Sequence, residues 1–272
     1  METAKAKKRI VVKVGTSTLT HEGGKLNFRS FDRLSRVLAD IHNTGYDIIL
    51  VSSGAIAVGA GKLLMKEKPQ ELSLKQAAAA VGQCELMHLY DKFFGEYGQI
   101  VAQILLTGDD VQSPEIKQNL INTFNALLNL GIIPIVNEND SVSYAEIETH
   151  TEEHKIFGDN DTLSAVVAVL CKAEKLVLLS DIDGLFDENP CDNPDACLIR
   201  EVREIDEKIK AIAGGAGSSR GTGGMITKLQ AAEMAMNNGI DMIIANGNHP
   251  ELLYDIVDGR PVGTLFAGKA EV

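Results

Sequence analysis

The chain alternates short, unbroken apolar runs with longer stretches of helical periodicity. The runs are RIVVKVG, YDIILVSSGA, IVAQILL, GIIPIVNEND, KLVLLSDIDGLF and DMIIAN. Between and after them, helices are predicted around Phe28–Thr44, over much of Ala55–Tyr97, around Pro114–Leu130 and near Met225–Asn238. Continuous rather than alternating apolar positions are the pattern of parallel strands covered on both faces. One three-layer α/β/α sandwich accommodates that succession. No internal repeat and no Pro/Ser-rich linker interrupts the 272 residues, so a single domain over 1–272 is expected. The least regular stretch, Ser141–Phe157 (SVSYAEIETHTEEHKIF), is polar and acidic. It is predicted to be a loop or hairpin over a site.

In open parallel sheets, ligands bind outside the carboxyl ends of the strands, and the unusual residues gather there. Lys13 lies inside the first run, with Gly15 at its exit. A lysine in an apolar strand is costly unless its ammonium meets a partner. A phosphate or carboxylate partner is favoured over snorkelling at a sheet edge. Ser52, Ser53 and Gly54 follow the second run and open a helix. Hydroxyls and free N–H groups there suit an anion, although a plain N-cap reads the same. Asn137, Glu138, Asn139 and Asp140 follow another run, as a turn or as the holder of an ammonium group. In GDND, one of Asp159, Asn160 and Asp161 is the expected N-cap of the apolar helix that follows. Asp161 or its neighbours remain to orient cations, a lysine pair being the candidate. Ser180, Asp181 and Asp183 mark a further exit, where a nucleotide's base or ribose would lie.

The stretch IAGGAGSSRGTGGMITKL concentrates glycines ahead of Lys228. Glycine is entropically costly to order, and bare N–H groups followed by a lysine point to phosphate. Neither G-x-x-x-x-G-K-[ST] nor G-x-G-x-x-G occurs in the chain, so the loop is not one of the common phosphate-binding fingerprints. HTEEH (His150–His154) meets one zinc-peptidase pattern, but its loop-like context makes a solvated acidic segment the better reading. No supported Ser/His/Asp arrangement and no H-R-D or D-F-G is present. Two lysines, glycine loops and carboxylates stabilise charge without supplying a nucleophile. That inventory suits phosphoryl transfer, whose transition state needs positioning and positive charge, with Lys228 aimed at the β and γ phosphates of a nucleotide.

Charge sharpens this picture. A net charge of -12 argues against a general nucleic-acid binder and requires a local positive site for any anionic substrate. The four cysteines (Cys84, Cys171, Cys191, Cys197) form no C-x-x-C pair and read as reduced thiols of a cytosolic protein. The basic METAKAKKR leads straight into a strand, and no apolar run reaches membrane-span length. A cytoplasmic protein without membrane partners is expected.

The stretches IVVKVGTSTLT, LVSSGAIAVG, KQAAAAVGQ, PIVNENDSV, FGDNDTLSA, LLSDIDGLF, GTGGMITKLQAA and VGTLF resemble, in sequence and order, the amino-acid kinase family and within it the glutamate-phosphorylating members. The resemblance covers nearly the whole chain and implies a mostly parallel sheet of about eight strands. It implies ATP and Mg²⁺, the metal riding on the nucleotide phosphates without a protein metal site. The implied reaction is phosphorylation of the γ-carboxylate of L-glutamate to glutamyl 5-phosphate, the first step toward proline. L-Proline as feedback inhibitor and a homo-oligomeric assembly are implied as well.

By the same resemblance, Lys13 and Lys228 neutralise phosphate and Asp161 holds both in place. Ser53, Gly54, Asp140 and Asn160 contact glutamate. Lys13, Gly15, Ser180, Asp181 and the run Thr222, Gly223, Gly224, Met225, Ile226, Thr227 and Lys228 bind ATP. Two departures stand out. Many members carry a C-terminal RNA-binding-like domain, whereas this chain stops shortly after VGTLF. The segment between NEND and GDND is longer and more acidic than the family pattern. Two other readings stay open: a kinase of the same fold acting on carbamate, acetylglutamate or uridylate, and a nucleotide-binding regulatory module without turnover. SSGA with NEND favours an amino acid, and the two lysines with Asp161 favour turnover.

Overall fold

Strand β1 (Arg9–Val14) is the middle one of three central strands that the sequence builds from aliphatic residues, and its neighbours β2 (Asp47–Ser52) and β5 (Lys175–Ser180) pair with it in parallel. The computed structural model describes residues 8–21, 24–142, 159–190, 192–214 and 224–269. Within these, β3 (Val101–Leu106), β4 (Ile133–Glu138), β6 (Glu201–Val202), β7 (Asp241–Asn246) and β8 (Thr264–Phe266) complete an eight-stranded sheet of order β3-β4-β2-β1-β5-β7-β8-β6. Among the pairings of these described strands, only β7–β8 is antiparallel.

Alternate residues along the central strands point into two separate cores. Val11, Ile49, Val51, Leu176 and Leu178 face α7 (Asn160–Leu170) and α9 (Met225–Asn237). Ile10, Val12, Ile48, Leu50, Val177 and Leu179 face α2 (Phe28–Asn43) and α4 (Leu72–Glu96). Two buried faces account for the unbroken apolar runs. Strand period also settles where Lys13 goes: it shares the face of Val11, the one covered by α7 and α9. Strand β3 departs from the expectation of burial on both faces. As the edge strand it leaves Gln103 exposed and Val101 and Ala102 half-buried.

The predicted helical stretch over Ala55–Tyr97 is two helices, α3 (Ala55–Lys62) and α4, broken where Leu64 adopts a left-handed conformation. They cross at glycines. A Cβ on Gly59 would lie 1.8 Å from the Ala78 carbonyl oxygen, and one on Gly82 1.8 Å from that of Ala55. Any side chain there would push α4 off the sheet. The predicted helix around Pro114–Leu130 is α6 (Pro114–Asn129), started by Ser113, whose side chain accepts from Ile116 N–H, with Pro114 in the first turn. The short elements α1 (Thr16–Leu19), α5 (Gly108–Gln112), α8 (Glu207–Gly214) and α10 (Leu252–Val257) carry too little periodicity to be read from sequence.

Of Ser141–Phe157 only Ser141 and Val142 lie among the described residues. The remainder, with His150–His154, lies outside them, as does Cys191. Cys84, Cys171 and Cys197 are free thiols. Burial pushes the Cys171 thiol up to about 12 against a small opposing effect of Arg9, so it stays protonated at neutral pH. No described helix is long and apolar enough to cross a membrane.

Candidate active site

The carboxyl end of β1 opens into a cavity of about 380 Å³ whose wall includes Lys13, Ser53, Asp161, Ser180 and Lys228. At its centre three elements each supply one charged side chain. Lys13 Nζ of β1 lies 2.6 Å from Asp161 Oδ1, and Lys228 Nζ of α9 lies 3.1 Å from Asp161 Oδ2. Thr227 Oγ1 donates to the same Oδ2 at 3.1 Å.

The local sequence explains each placement. Asp159 is the N-cap of α7: its Oδ1 accepts from the N–H groups of Asp161 and Thr162 at 2.7 and 2.9 Å. Asp161 is thereby set in the first helical turn, where the helix dipole favours a carboxylate. Lys228 sits in the first turn of α9, where the dipole disfavours a cation, so Asp161 is needed to hold it there. Asp161 is 1% exposed and Lys228 7%. Burial alone would push the Asp161 carboxyl up, but the charges and hydrogen bonds of Lys13 and Lys228 outweigh it and hold it below the ordinary carboxylate range. Two ammoniums against one carboxylate leave the triad net positive, in a place of low dielectric where that charge acts strongly on an anion.

On the β2–β4 side, Asn160 Nδ2 lies 2.9 Å from the Ser52 carbonyl, 3.0 Å from Ser53 Oγ and 2.9 Å from Asn137 Oδ1. Gly54, with φ of 100°, turns the chain into α3, a conformation that favours glycine. Its neighbours on the cavity wall are Thr16, Ala55 and Ile56. Beneath them Ser52 Oγ and the Tyr90 hydroxyl are 2.8 Å apart. Burial pushes the Tyr90 hydroxyl well above its ordinary value, against the opposing Ser52 bond, so it remains protonated. Asp140 and Glu138 border the same side. The Oδ2 of Asp159 is buried with no donor among the described residues.

On the β5 side, Ser180 Oγ donates to Asp181 Oδ1 at 3.1 Å, and Asp181 itself is exposed. Asn246 Nδ2 donates to Asp183 Oδ1 at 2.8 Å. Gly224 precedes α9 as its N-cap, and Thr227 Oγ1 also contacts the Gly224 carbonyl at 2.8 Å.

The predicted site residues therefore converge in large part. Lys13, Gly15, Ser53 and Gly54 line the cavity, as do Asp140, Asn160, Asp161, Ser180, Asp181 and Lys228. Gly224, Met225, Ile226 and Thr227 form the start of α9 beside it, Ile226 being 54% exposed. Thr222 and Gly223 lie outside the described residues. Sequence reasoning missed Thr16, Ser17, Lys68 and Lys75, which also line the cavity. Lys75 opens the KQAAAAVGQ stretch, but one lysine early in a helix carries no signal of its own.

The geometry has relatives. A family model described as the amino acid kinase family matches residues 8–246. The chain is 56% identical over 265 residues to a protein of Clostridium perfringens named glutamate 5-kinase, covering 97% of each. It is 57% identical to a protein of that name from Clostridium acetobutylicum, over 96% of this chain and 95% of the relative. A Listeria innocua protein, again glutamate 5-kinase by name, is 52% identical over 99% of this chain and 96% of its own length. Among solved structures, a carbamate kinase from Giardia lamblia bound to AMP-PNP superposes with a TM-score of 0.67 at 16% identity, covering 96% of this chain and 98% of that one. A UMP kinase from Bacillus anthracis gives 0.65 at 16% identity, covering 97% and 98%. The solved structures speak for the fold alone; the family model and the sequence relatives go further, and by them the chain belongs to the amino acid kinase family.

Proposed function

We propose that this chain transfers the γ-phosphoryl group of ATP to the γ-carboxylate of L-glutamate, giving glutamyl 5-phosphate and ADP, the first step of proline biosynthesis. The observation that carries the proposal is the buried Lys13–Asp161–Lys228 triad at the foot of the cavity. The names borne by relatives more than half identical over nearly their full length select the acceptor.

The chemistry needs little from the protein beyond charge and position. Glutamate's γ-carboxylate is already ionised at neutral pH, so its oxygen attacks the γ-phosphorus directly. The bond from that phosphorus to the bridging oxygen breaks, and ADP leaves with the electron pair. No proton moves, and no general base is required. The barrier is the approach of an anion to an anion. Lys13 and Lys228 offset that repulsion, and Asp161 keeps both ammoniums in place. Among the described residues no group of three or more His, Cys, Asp or Glu side chains is placed to hold a metal ion, and Asp161 is engaged by lysines. Mg²⁺ fits here as a companion of the nucleotide, bound mainly through phosphate oxygens, where it neutralises charge.

The acceptor lies on the β2–β4 side and the nucleotide on the β5 side. Ser53 O–H and the N–H groups that open α3 suit glutamate's α-carboxylate, and Asp140 with Asn160 suits the α-ammonium. Ser180, Asp181, Gly15 and the segment from Thr222 to Lys228 hold the nucleotide. L-Proline presents the same α-carboxylate and a cationic nitrogen without the γ-carboxylate, so it competes for the head site and accepts no phosphate. The decisive experiment is an ADP-release screen with glutamate, N-acetylglutamate, aspartate, carbamate and UMP. Release with glutamate alone, with proline raising the KM for glutamate and not that for ATP, supports the proposal. Release with another acceptor reassigns the substrate, and no release with any acceptor leaves a nucleotide-binding regulator.

A further inference from the structure

Asn160 is bonded in a way that fixes which end of its amide the ligand meets. The Ser52 carbonyl can only accept, so the Asn160 NH₂ faces it, and that same NH₂ reaches Ser53 Oγ and Asn137 Oδ1. The orientation of Asn137 is fixed just as firmly. The backbone N–H of Glu138 can only donate, and it donates to Asn137 Oδ1 at 2.9 Å. Asn137 Nδ2 must then point the other way, where Gln83 Oε1 accepts from it at 2.9 Å. Exchanging the ends of Asn160 would set its oxygen against the Ser52 carbonyl, acceptor against acceptor, and exchanging those of Asn137 would set its NH₂ against the Glu138 N–H, donor against donor.

The consequence reaches the cavity. The donors of Asn160 are consumed internally, and no described residue donates to its Oδ1. The acceptor side therefore offers a carbonyl oxygen, which suits a cationic nitrogen and repels a carboxylate. Ser53 Oγ already accepts from Asn160, which leaves its O–H to donate to an anion. The two ends of an amino-acid head are thus told apart by hydrogen-bond polarity as well as by charge.

We infer that Gln83 is a positioning residue for substrate selection: its side-chain oxygen locks Asn137, Asn137 locks Asn160, and Asn160 then presents an acceptor to the substrate's α-ammonium. Asn137 is 1% exposed, so its Nδ2 has little water to turn to if Gln83 is lost, and an unpaired buried donor is costly. Gln83 itself is held by the α3–α4 crossing. It adjoins Gly82, whose missing side chain lets α4 approach Ala55 and Gly59. This gives the KQAAAAVGQ stretch a role: its last two residues set the helix down and brace the acceptor side. The inference rests on the reading of Asn160 as an acceptor contact.

The test compares Gln83→Met, which keeps the volume and removes the acceptor oxygen, with Gln83→Glu, which keeps an acceptor. Activity is followed with glutamate and with glutarate, which lacks the α-amino group. Gln83→Met is expected to raise the KM for glutamate about tenfold and to narrow the preference for glutamate over glutarate by a similar factor, with the KM for ATP within about twofold. Gln83→Glu is expected to keep the glutamate KM within about threefold of the parent. An unchanged KM and preference in a folded Gln83→Met overturns the inference, and so does equal impairment of the Met and Glu variants, which would mark a packing role. If Gln83→Met lowers Tm, Gln83→Asn, one methylene too short to reach Asn137, is read in the same way. Asn160→Ala separates the two levels. If it leaves glutamate KM unchanged, the acceptor reading itself fails; if it raises KM while Gln83→Met does not, only the role of Gln83 fails.

Discussion

Two pairs of lysines stand on one cavity wall, and their surroundings make them different tools. Lys13 and Lys228 are almost sealed from water and share the Asp161 carboxylate. Lys68 is exposed and Lys75 half-buried, and neither makes an ion pair among the described residues. Coulomb's law is the same for both pairs, but the effective dielectric is not. The inner pair acts at short range where little water reaches it, and it is held in place by a third residue. The outer pair acts through solvent and salt. In a chain of net charge -12, the inner pair is suited to stabilising a transition state and the outer pair to bringing anions to the door.

The largest effects are expected from the inner pair. Lys228→Ala should lower kcat by about two to four decades, the loss of one preorganised charge at the transferring phosphoryl group being worth about 3–5 kcal/mol. Circular dichroism should be unchanged. Near-parental kcat in a folded variant would remove Lys228 from the chemistry and erase the contrast between the pairs. Asp161→Asn should lower kcat by about a hundredfold while ATP and glutamate still bind, because the amide neutralises neither lysine and orients both less well. KM values that rise together with an unchanged kcat would show Asp161 to be a binding residue instead.

The same carboxylate makes a statement about acid stability. Its native value is held below the ordinary range by the two lysines despite burial. A depressed value contributes stability that is present above the unfolded-state pKa, about 4, and is lost as pH falls through the lower native value. Urea unfolding from pH 6 downward should therefore show the parent losing stability below about pH 4 more steeply than Asp161→Asn, which carries no proton-linked group there. Parallel curves would mean that the triad is not linked to folding.

Much of this was legible in the sequence, and the boundary between legible and hidden is physical. Lys13 was legible because a lysine in an apolar strand has to be explained, and Asp161 because GDND offers more carboxylates than one N-cap uses. The layers followed from unbroken apolar runs that two cores now account for. The three-residue β8 and its antiparallel pairing were not readable, since so short a run has no period. Asn137 was picked out with its neighbours, but its link to Gln83 was hidden for another reason. The link is one hydrogen bond between residues far apart in sequence, and a glutamine within a helix is not unusual where it stands. Lys68 and Lys75 were hidden because lysines in polar surroundings are ordinary; only the cavity they border sets them apart.

The smallest expected effect is the one that sharpens the comparison most. Lys68→Ala and Lys75→Ala should leave kcat within about twofold, because neither ammonium belongs to the triad, and should raise the glutamate KM by about two- to fivefold at low ionic strength. Raising salt to about 0.5 M shortens the screening length to about 4 Å, so parent and variants should converge. The Lys228→Ala defect should persist at that salt, because its charge is buried. Lys75, being half-buried, should show the larger effect of the two. A kcat defect in Lys75→Ala that survives high salt would place this lysine with Lys13 and Lys228, and the division of labour drawn from burial would have to be redrawn with three inner lysines and one outer.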